Sequence, residues 1–158
     1  MAIADRLYDY LKSKGSDYTL LGHPHSGSSM ETAETAQVPG DALAKGVLLE
    51  DQRGLLLVVV PSDYQIELDT LNSLFDRQLA FVTEDRLGKV FPDCEVGAVP
   101  PIGAAYSLET VWDPQSSLGA QDYLYFEAGD HTTLVRVSAP HFRELMGEAE
   151  QAHFSHHI

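Results

Sequence analysis

The sequence predicts a mixed α/β fold of the α+β type, in which helices and strands follow one another without strict alternation. Three observations support this prediction. Apolar residues recur at helical spacing near both ends of the chain, two apolar runs flank a turn in the middle, and a proline-rich loop precedes three further strand candidates. The 158 residues, with Cys94 as the single cysteine, suit one compact domain over residues 1–158 that needs no disulfide.

The N-terminal part of the chain is expected to contain two short helices with a strand between them. Leu7 and Leu11 recur at helical spacing, and Gly15 is placed to end the first helix. A strand over residues 18–21 and a second helix over residues 29–37 follow, separated by a turn-rich stretch.

The middle of the chain carries the clearest β pattern. Residues 45–50 and 55–60 are apolar runs on either side of a turn that ends in Gly54, which predicts a β-hairpin. Residues 55–60 read LLLVVV and are apolar at every position. We therefore expect this strand to be covered on both faces of its sheet.

The remaining chain is expected to add three helices, four strands and a loose tail. The helices are expected over residues 66–75, 83–90 and 138–146, and the strands over residues 79–82, 105–112, 123–126 and 134–137. Residues 153–158 are expected to be loose, because chain ends fray. Although His153 and His157 are four residues apart, they lie in this fraying end, so no metal site is expected.

The charge of the chain is strongly acidic, with 10 Lys and Arg against 24 Asp and Glu and a formal net charge of −14. Proteins that bind nucleic acids are usually basic, because phosphates are held largely by Lys and Arg. Three explanations remain open: a contact limited to one end of an RNA, an acidic surface adapted to a high-salt cytoplasm, or no RNA binding at all.

Lys45 opens the first strand of the hairpin and has two possible roles. A lysine at the start of a strand is commonly a solvated edge charge. Alternatively, it is a cation at the rim of a pocket, where it would hold a phosphate or a ribose. The spacing of the sequence leaves both roles open.

The loop GAVPPIG, residues 97–103, is the second candidate site. Two glycines bracket two prolines, so the loop is stiff and its backbone can approach a ligand closely. Its N–H groups could stabilise a carbonyl oxygen that gains charge, although a rigid connector fits the same pattern. Asp130 and His131 lie in a turn between two strand candidates, where such residues are usually inert. Gly-rich phosphate loops, HExxH, CxxC pairs and GxSxG are absent.

The order of these features resembles the YbaK/ProX/prolyl-tRNA-synthetase insertion family of aminoacyl-tRNA deacylases. The resemblance spans roughly residues 3–146 and is carried by TAETA at 32–36, AKGVLL at 44–49, LVVVP at 57–61, Asp69, and VGAVPPIG at 96–103. The chain departs from the family at Gly46, where many members have a polar residue, and in the segment EAGDH at 127–131.

The resemblance implies a curved, mixed or largely antiparallel sheet surrounded by helices. It also implies hydrolysis of the ester bond of mischarged aminoacyl-tRNA in trans, an activity that protects translation fidelity and uses no cofactor or metal. Lys45 would hold the phosphate of the terminal adenosine or the substrate amino group, and Gly97 belongs to the segment that positions the substrate carbonyl. Those two are the implied catalytic residues. The implied substrate-binding residues are Met30, Gly46, Pro100, Pro101, Gly103, Asp130 and His131.

The expected partner is the 3′ end of an aminoacyl-tRNA, with a synthetase as a second candidate and neither DNA nor a membrane involved. No secretory signal or long apolar run is visible, so a cytoplasmic location is expected. The alternative function is a catalytically silent module of the same fold that binds tRNA or a synthetase. A hydrolase of small esters or thioesters is a third reading.

Overall fold

The computed structural model describes residues 3–24, 29–95 and 98–158, without the side chains of residues 29, 30 and 35. The helices are α1 (Asp5–Ser13), α2 (Ser29–Ala36), α3 (Leu68–Phe75), α4 (Glu84–Val90) and α5 (Ala139–Met146). The strands are β1 (Thr19–Gly22), β2 (Ala44–Asp51), β3 (Gly54–Pro61), β4 (Tyr64–Ile66), β5 (Ala80–Phe81), β6 (Thr110–Trp112), β7 (Tyr123–Glu127), β8 (Thr133–Ser138), β9 (Glu150–Gln151) and β10 (Ser155–His157).

The predicted hairpin forms the centre of a five-stranded sheet with the order β5-β2-β3-β6-β9. Strands β2 and β3 pair in antiparallel register from Ala44 opposite Pro61 to Asp51 opposite Gly54. On its other side β3 pairs with β6 in parallel, so the sheet is mixed. The last six residues of β3 are buried, which confirms that this apolar strand is covered on both faces.

A second sheet, with the order β1-β8-β7, is antiparallel throughout. Its inner face packs on α1 and α5 to form the largest apolar cluster, which includes Leu7, Phe126 and Leu145. Trp112 of the first sheet joins this cluster through an edge-to-face contact with Phe142, at a ring-centroid distance of 5.9 Å. The mixed sheet, the antiparallel sheet and the helices around them confirm the predicted α/β class. No helix in the described ranges is both long and apolar enough to cross a bilayer.

The strand predicted over residues 105–112 is wrong for its first half. Residues 103–106 form a 3₁₀ helix, and Ser107 then takes a left-handed conformation with φ of 55°. Only Thr110–Trp112 pairs with β3. The alternation of apolar residues misled the prediction, because Tyr106 is buried against Phe91 rather than in a sheet.

Residues 153–158 were expected to be loose, but they contain strand β10. Strand β9 pairs with β6, and β10 pairs with β4 so that Ser155 lies opposite Ile66 and His157 opposite Tyr64. The carboxylate of Asp113, which is fully buried, anchors residues 153–155. Its Oδ1 accepts hydrogen bonds from the backbone N–H groups of residues 115 and 116, and its Oδ2 lies within bonding distance of donors of residues 153–155. A single aspartate therefore supplies the anchor that the residue pattern of the tail does not reveal.

Candidate functional site

Lys45 and Gly46 lie at the start of β2 and belong to opposite faces of the five-stranded sheet. In an antiparallel pair, residues opposite each other share a face, and neighbours along a strand alternate. Lys45 is opposite Val60, which packs in the apolar cluster that contains Leu71 of α3. Gly46 is opposite Val59, on the face that the proline-rich loop covers. Lys45 and Gly46 therefore face opposite sides of the sheet, and only Gly46 is on the side of the proline-rich loop.

The structure brings Gly46 into close contact with the proline-rich loop. A Cβ atom added to Gly46 would lie 3.1 Å from the Cα of Pro101, 3.2 Å from Cδ1 of Leu57 and 3.5 Å from the carbonyl oxygen of Pro100. A larger residue would force the loop away from the strand. The departure from the family pattern at Gly46 thus coincides with a close approach of two backbones.

The described part of the loop, residues 98–103, is buried. The N–H of Ala98 donates to the carbonyl oxygen of Glu95 at 3.0 Å, and the two prolines have no N–H. In the described part of the loop, the backbone N–H groups that remain as candidate donors to a ligand are therefore those of Val99, Ile102 and Gly103.

Gly103 begins the 3₁₀ helix and is tightly enclosed by its neighbours. An added Cβ would collide with Oγ1 of Thr110, and the Leu108 carbonyl oxygen would lie 3.2 Å away. This environment accounts for a glycine by packing. Gly97 lies outside the described residues and the side chain of Met30 outside the described side chains, so their predicted roles stay predictions.

The turn between β7 and β8 contains Asp130 and His131 and touches the segment that leads into the loop. Gly129, with φ of 123°, accepts a hydrogen bond at its carbonyl oxygen from the N–H of Glu95 at 2.7 Å. Asp130 shapes the turn, since its carboxylate accepts from the N–H of Thr132 at 3.0 Å and from the hydroxyl of Thr133 at 3.1 Å. The fold therefore places this turn beside the loop, which the sequence spacing alone does not show.

At this turn, His131 belongs to a buried group of ionisable residues whose other two members, His23 and Glu127, were not predicted as site residues. The side chains of His23, Glu127 and His131 are at most 5% exposed. A carboxylate oxygen of Glu127 lies 3.9 Å from Nε2 of His23, and the other lies 3.9 Å from Nδ1 of His131. His131 holds a left-handed backbone with φ of 60°, which is uncommon outside glycine. Because His23 is more than 100 positions from Glu127, no local pattern could have indicated this group.

Lys45 is partly buried, and its electrostatic surroundings are set by burial and by one carboxylate. Burial lowers the pKa of the Lys45 ammonium below its ordinary value of 10.5, and the charge of Asp63 opposes that shift. Asp63 lies in the turn after β3. Lys45 is thus not a fully solvated charge, and its role as a cation that holds a ligand stays a prediction.

Cys94 has the properties of an inert thiol. Burial raises its pKa to about 12, and its Sγ lies 3.3 Å from the hydroxyl of Tyr106. A thiol that keeps its proton is a poor nucleophile. Among the described residues, no group of three or more His, Cys, Asp or Glu side chains is arranged to hold a metal ion.

Comparison with known proteins identifies the family of the chain. Residues 23–145 match the sequence model of the aminoacyl-tRNA editing domain. No curated protein sequence matches the chain significantly.

Solved structures share the fold at low sequence identity. A crystal structure described as a candidate trans-editing enzyme for prolyl-tRNA synthetase is 21% identical, with a TM-score of 0.81 over 97% of this chain and 96% of that one. A hypothetical protein is 21% identical, with a TM-score of 0.82 over 96% of this chain and 100% of that one.

The same fold also occurs inside a longer protein. A candidate signal transduction protein from Marinobacter aquaeolei is 20% identical, with a TM-score of 0.75 over 95% of this chain and 30% of that one. At these identities the likeness concerns the fold, whereas the sequence match covers 23–145 of the 158 residues. The chain belongs to the aminoacyl-tRNA editing domain family.

Proposed function

We propose that this protein hydrolyses the ester bond of mischarged aminoacyl-tRNA in trans and releases the amino acid and free tRNA. The observation that carries the proposal is the match of residues 23–145 to the editing domain, which includes Lys45, the proline-rich loop and the turn with His131. The fold shared with a candidate trans-editing enzyme supports action outside a synthetase. A cytoplasmic location follows as part of the proposal.

Lys45 is proposed to hold the 3′ end of the substrate. Its partly buried ammonium is a cation that water does not fully surround, so a phosphate or ribose oxygen gains a stronger hydrogen bond from it than from an exposed lysine. The other cations from β2 to α4 each have a carboxylate oxygen within 4.0 Å; they are Arg53, Arg77, Arg86 and Lys89. Lys45 is the cation in that region left for a ligand.

The proline-rich loop is proposed to stabilise the oxyanion. The ester of an aminoacyl-tRNA is already activated, so the protein needs to place a water molecule and stabilise the charge that develops on the carbonyl oxygen. The N–H groups of the loop are candidates for that role, with Gly97 among them by resemblance. Pro100 and Pro101 pack closely against Gly46, and this packing would hold those donors in position before the substrate binds.

The remaining proposed contacts concern the amino acid. Met30 and His131 would line its pocket, and Asp130 would act through the turn that it shapes. Pocket size separates small apolar side chains poorly, so the proposal extends to a class of small amino acids rather than to one. The net charge of −14 favours a contact confined to the acceptor end, with a synthetase as a further partner that would deliver the tRNA.

The test is deacylation of tRNAs mischarged in turn with alanine, serine, cysteine, threonine and proline. Wild type, Lys45→Ala and the control Lys89→Ala would be assayed together. Lys89 is exposed and forms an i,i+4 pair with Asp85, so its removal should leave turnover unchanged. We expect Lys45→Ala to lose about 100-fold or more in kcat/KM. A folded wild type that hydrolyses none of the esters would reject the enzyme and favour the silent binding module.

A further inference from the structure

The turn between β7 and β8 is held by backbone hydrogen bonds from three distant segments. Three N–H groups donate to its carbonyl oxygens at 2.7 to 2.8 Å. The donors are Ala4, His23 and Glu95, and the acceptors are Ala128, Thr132 and Gly129, respectively. These bonds lie on both sides of His131 in the chain and hold its backbone at a left-handed φ of 60°. Strain of this kind persists where the surrounding structure determines the conformation, and it clusters at functional sites.

The side chain of Glu127 lies between two imidazole rings. Its Oε1 is 3.9 Å from Nδ1 of His131, and its Oε2 is 3.9 Å from Nε2 of His23. All three residues are buried, and a buried carboxylate is costly unless donors face it. The two separations are roughly 1 Å longer than a hydrogen bond, and contacts of catalytic groups often shorten when a substrate binds. Glu127 is thus within reach of both histidines.

The backbone next to His23 fixes where the proton of that ring lies. Nδ1 of His23 is 2.7 Å from the carbonyl oxygen of Pro24. A carbonyl oxygen only accepts hydrogen bonds, so Nδ1 carries the proton and donates. In the neutral ring Nε2 is then an acceptor, and it faces Oε2 of Glu127 without a proton to offer.

His131 presents its other nitrogen and can supply the proton that neutral His23 does not. Its Nδ1 faces Oε1 of Glu127. A neutral imidazole carries one proton, and the hydrogen bond made by one nitrogen sets the role of the other. A proton on Nδ1 therefore satisfies Glu127 and leaves the lone pair of Nε2 as an acceptor. In water the opposite form of histidine, with the proton on Nε2, predominates, so the carboxylate is needed to select the Nδ1–H form.

We propose that Glu127 is a positioning residue for His131: it accepts a hydrogen bond from Nδ1–H and thereby leaves Nε2 as the acceptor for a donor on the substrate. The inference rests on the proposed place of His131 in the amino-acid pocket. His131 would touch the substrate, whereas Glu127 acts through it. The α-ammonium group beside the ester is a donor that aminoacyl esters share, and an Nε2 without a proton can accept from it.

The test compares Glu127→Met and Glu127→Gln with the matched control Glu144→Met. Glutamine keeps the shape of the side chain, and its oxygen can accept from Nδ1–H of His131 while its NH₂ group donates to Nε2 of His23. Methionine has a similar length but offers at most a weak acceptor. Glu144 is exposed on α5, so its replacement makes the same chemical change outside the buried group.

The primary readout is the tautomer of His131 at about pH 8.5, where histidine side chains are ordinarily neutral. NMR of protein labelled with ¹⁵N-histidine distinguishes the protonated ring nitrogen from the other one, and His131→Gln assigns the signals. Deacylation kinetics and circular dichroism accompany it.

We expect wild type, Glu127→Gln and Glu144→Met to keep the proton of His131 on Nδ1, and Glu127→Met to move it to Nε2. The Nε2–H group would then meet the substrate ammonium donor to donor. In Glu127→Met, kcat/KM should fall about tenfold, mainly through KM, because a hydrogen bond to the bound substrate is lost. In Glu127→Gln it should stay within about threefold of wild type.

A wild-type His131 with its proton on Nε2 would overturn the inference, and this outcome can be read even if Glu127→Met fails to fold. The same tautomer of His131 in folded Glu127→Met and Glu127→Gln would overturn it as well. The NMR readout needs no turnover. A wild type without deacylase activity would therefore remove the proposed function alone, and the tautomers would still decide whether Glu127 positions His131.

Discussion

Replacing Asp113 with asparagine is expected to lower the free energy of unfolding by about 3 kcal/mol. The carboxylate is fully buried and uses both oxygens as acceptors. Oδ1 accepts from the N–H groups of Gln115 and Ser116 at 3.0 and 3.2 Å. Oδ2 accepts from the hydroxyl of Ser155 at 2.7 Å and from two backbone N–H groups of the last segment. Asparagine keeps one acceptor oxygen and places an NH₂ group where the other oxygen accepted.

The magnitude follows from the bonds that one oxygen makes. If the amide oxygen takes the place of Oδ2, the two N–H groups at Oδ1 lose their acceptor, and each bond to a charged group contributes about 1.5 to 3 kcal/mol. We take the lower end for each, because the N–H of Ser116 also reaches the Asp113 carbonyl oxygen at 3.2 Å. For a chain of this length, about 3 kcal/mol corresponds to roughly 10 °C in Tm.

Urea unfolding followed by fluorescence measures the effect, since the single tryptophan, Trp112, is buried next to Asp113. Ser155→Ala is the control: it removes one of the bonds and should lose about 1.5 kcal/mol. The double variant should lose less than the sum of the two, because both residues belong to one network. A loss below about 1 kcal/mol for Asp113→Asn, or a strictly additive double variant, would refute the reasoning.

Three further predictions follow from single residues. Gly129→Ala should destabilise the protein by about 2 kcal/mol in urea unfolding, because a side chain is strained at φ of 123° and its Cβ would lie 3.0 Å from Cβ of Ala4. The control is Gly88→Ala on α4, where an added Cβ meets nothing within 4 Å, and this variant should stabilise by about 0.5 kcal/mol. Equal effects of the two variants on stability would contradict the prediction. Asp51→Asn should lower stability at neutral pH, because the hydrogen bonds from Arg77 hold the pKa of Asp51 well below its ordinary value of 3.8. That contribution is complete above pH 3.8 and is lost as the pH falls through the lowered pKa, so the two unfolding curves should converge in acid; a gap independent of pH would speak against it. Lys45→Met should leave the stability at pH 7 unchanged or raised, because burial disfavours the charged lysine. Wild-type stability should rise between the lowered pKa of Lys45 and pH 10.5, where only the unfolded state keeps the proton, and Lys45→Met should remove that rise in unfolding measured at several pH values. A clear loss of stability at pH 7 would contradict the burial argument.

The parts of the fold that depend on local patterns could be predicted from the sequence. The hairpin follows from two apolar runs around a turn, and the start of α5 follows from Ser138, whose hydroxyl accepts from the N–H of His141 at 3.4 Å. The 3₁₀ helix at residues 103–106 was not predicted, because Tyr106 stands in the sequence like an inward residue of a strand, whereas it packs against Phe91 from the helix. Local pattern carries no information on which distant segment covers an apolar residue.

The candidate site could be predicted only as separate pieces. The residue pattern made Lys45 and the proline-rich loop candidates, and the resemblance implied their roles. The contact of Gly46 with Pro101 depends on tertiary packing. The approach of His23 to Glu127 joins residues more than 100 positions apart, which no spacing rule anticipates.

The late position of β9 and β10 in the chain has a consequence for synthesis. The outer strand beside β6 consists of residues 150–151, and the partner of β4 consists of residues 155–157. A ribosome-bound chain that has released only the segment up to residue 145 has all the residues of the editing-domain match but leaves one edge of β6 and the whole of β4 unpaired. Since domains fold as units while they emerge, the nascent protein exposes these edges until residues 150–157 have left the exit tunnel. Folding is thus completed after translation of the matched domain has ended.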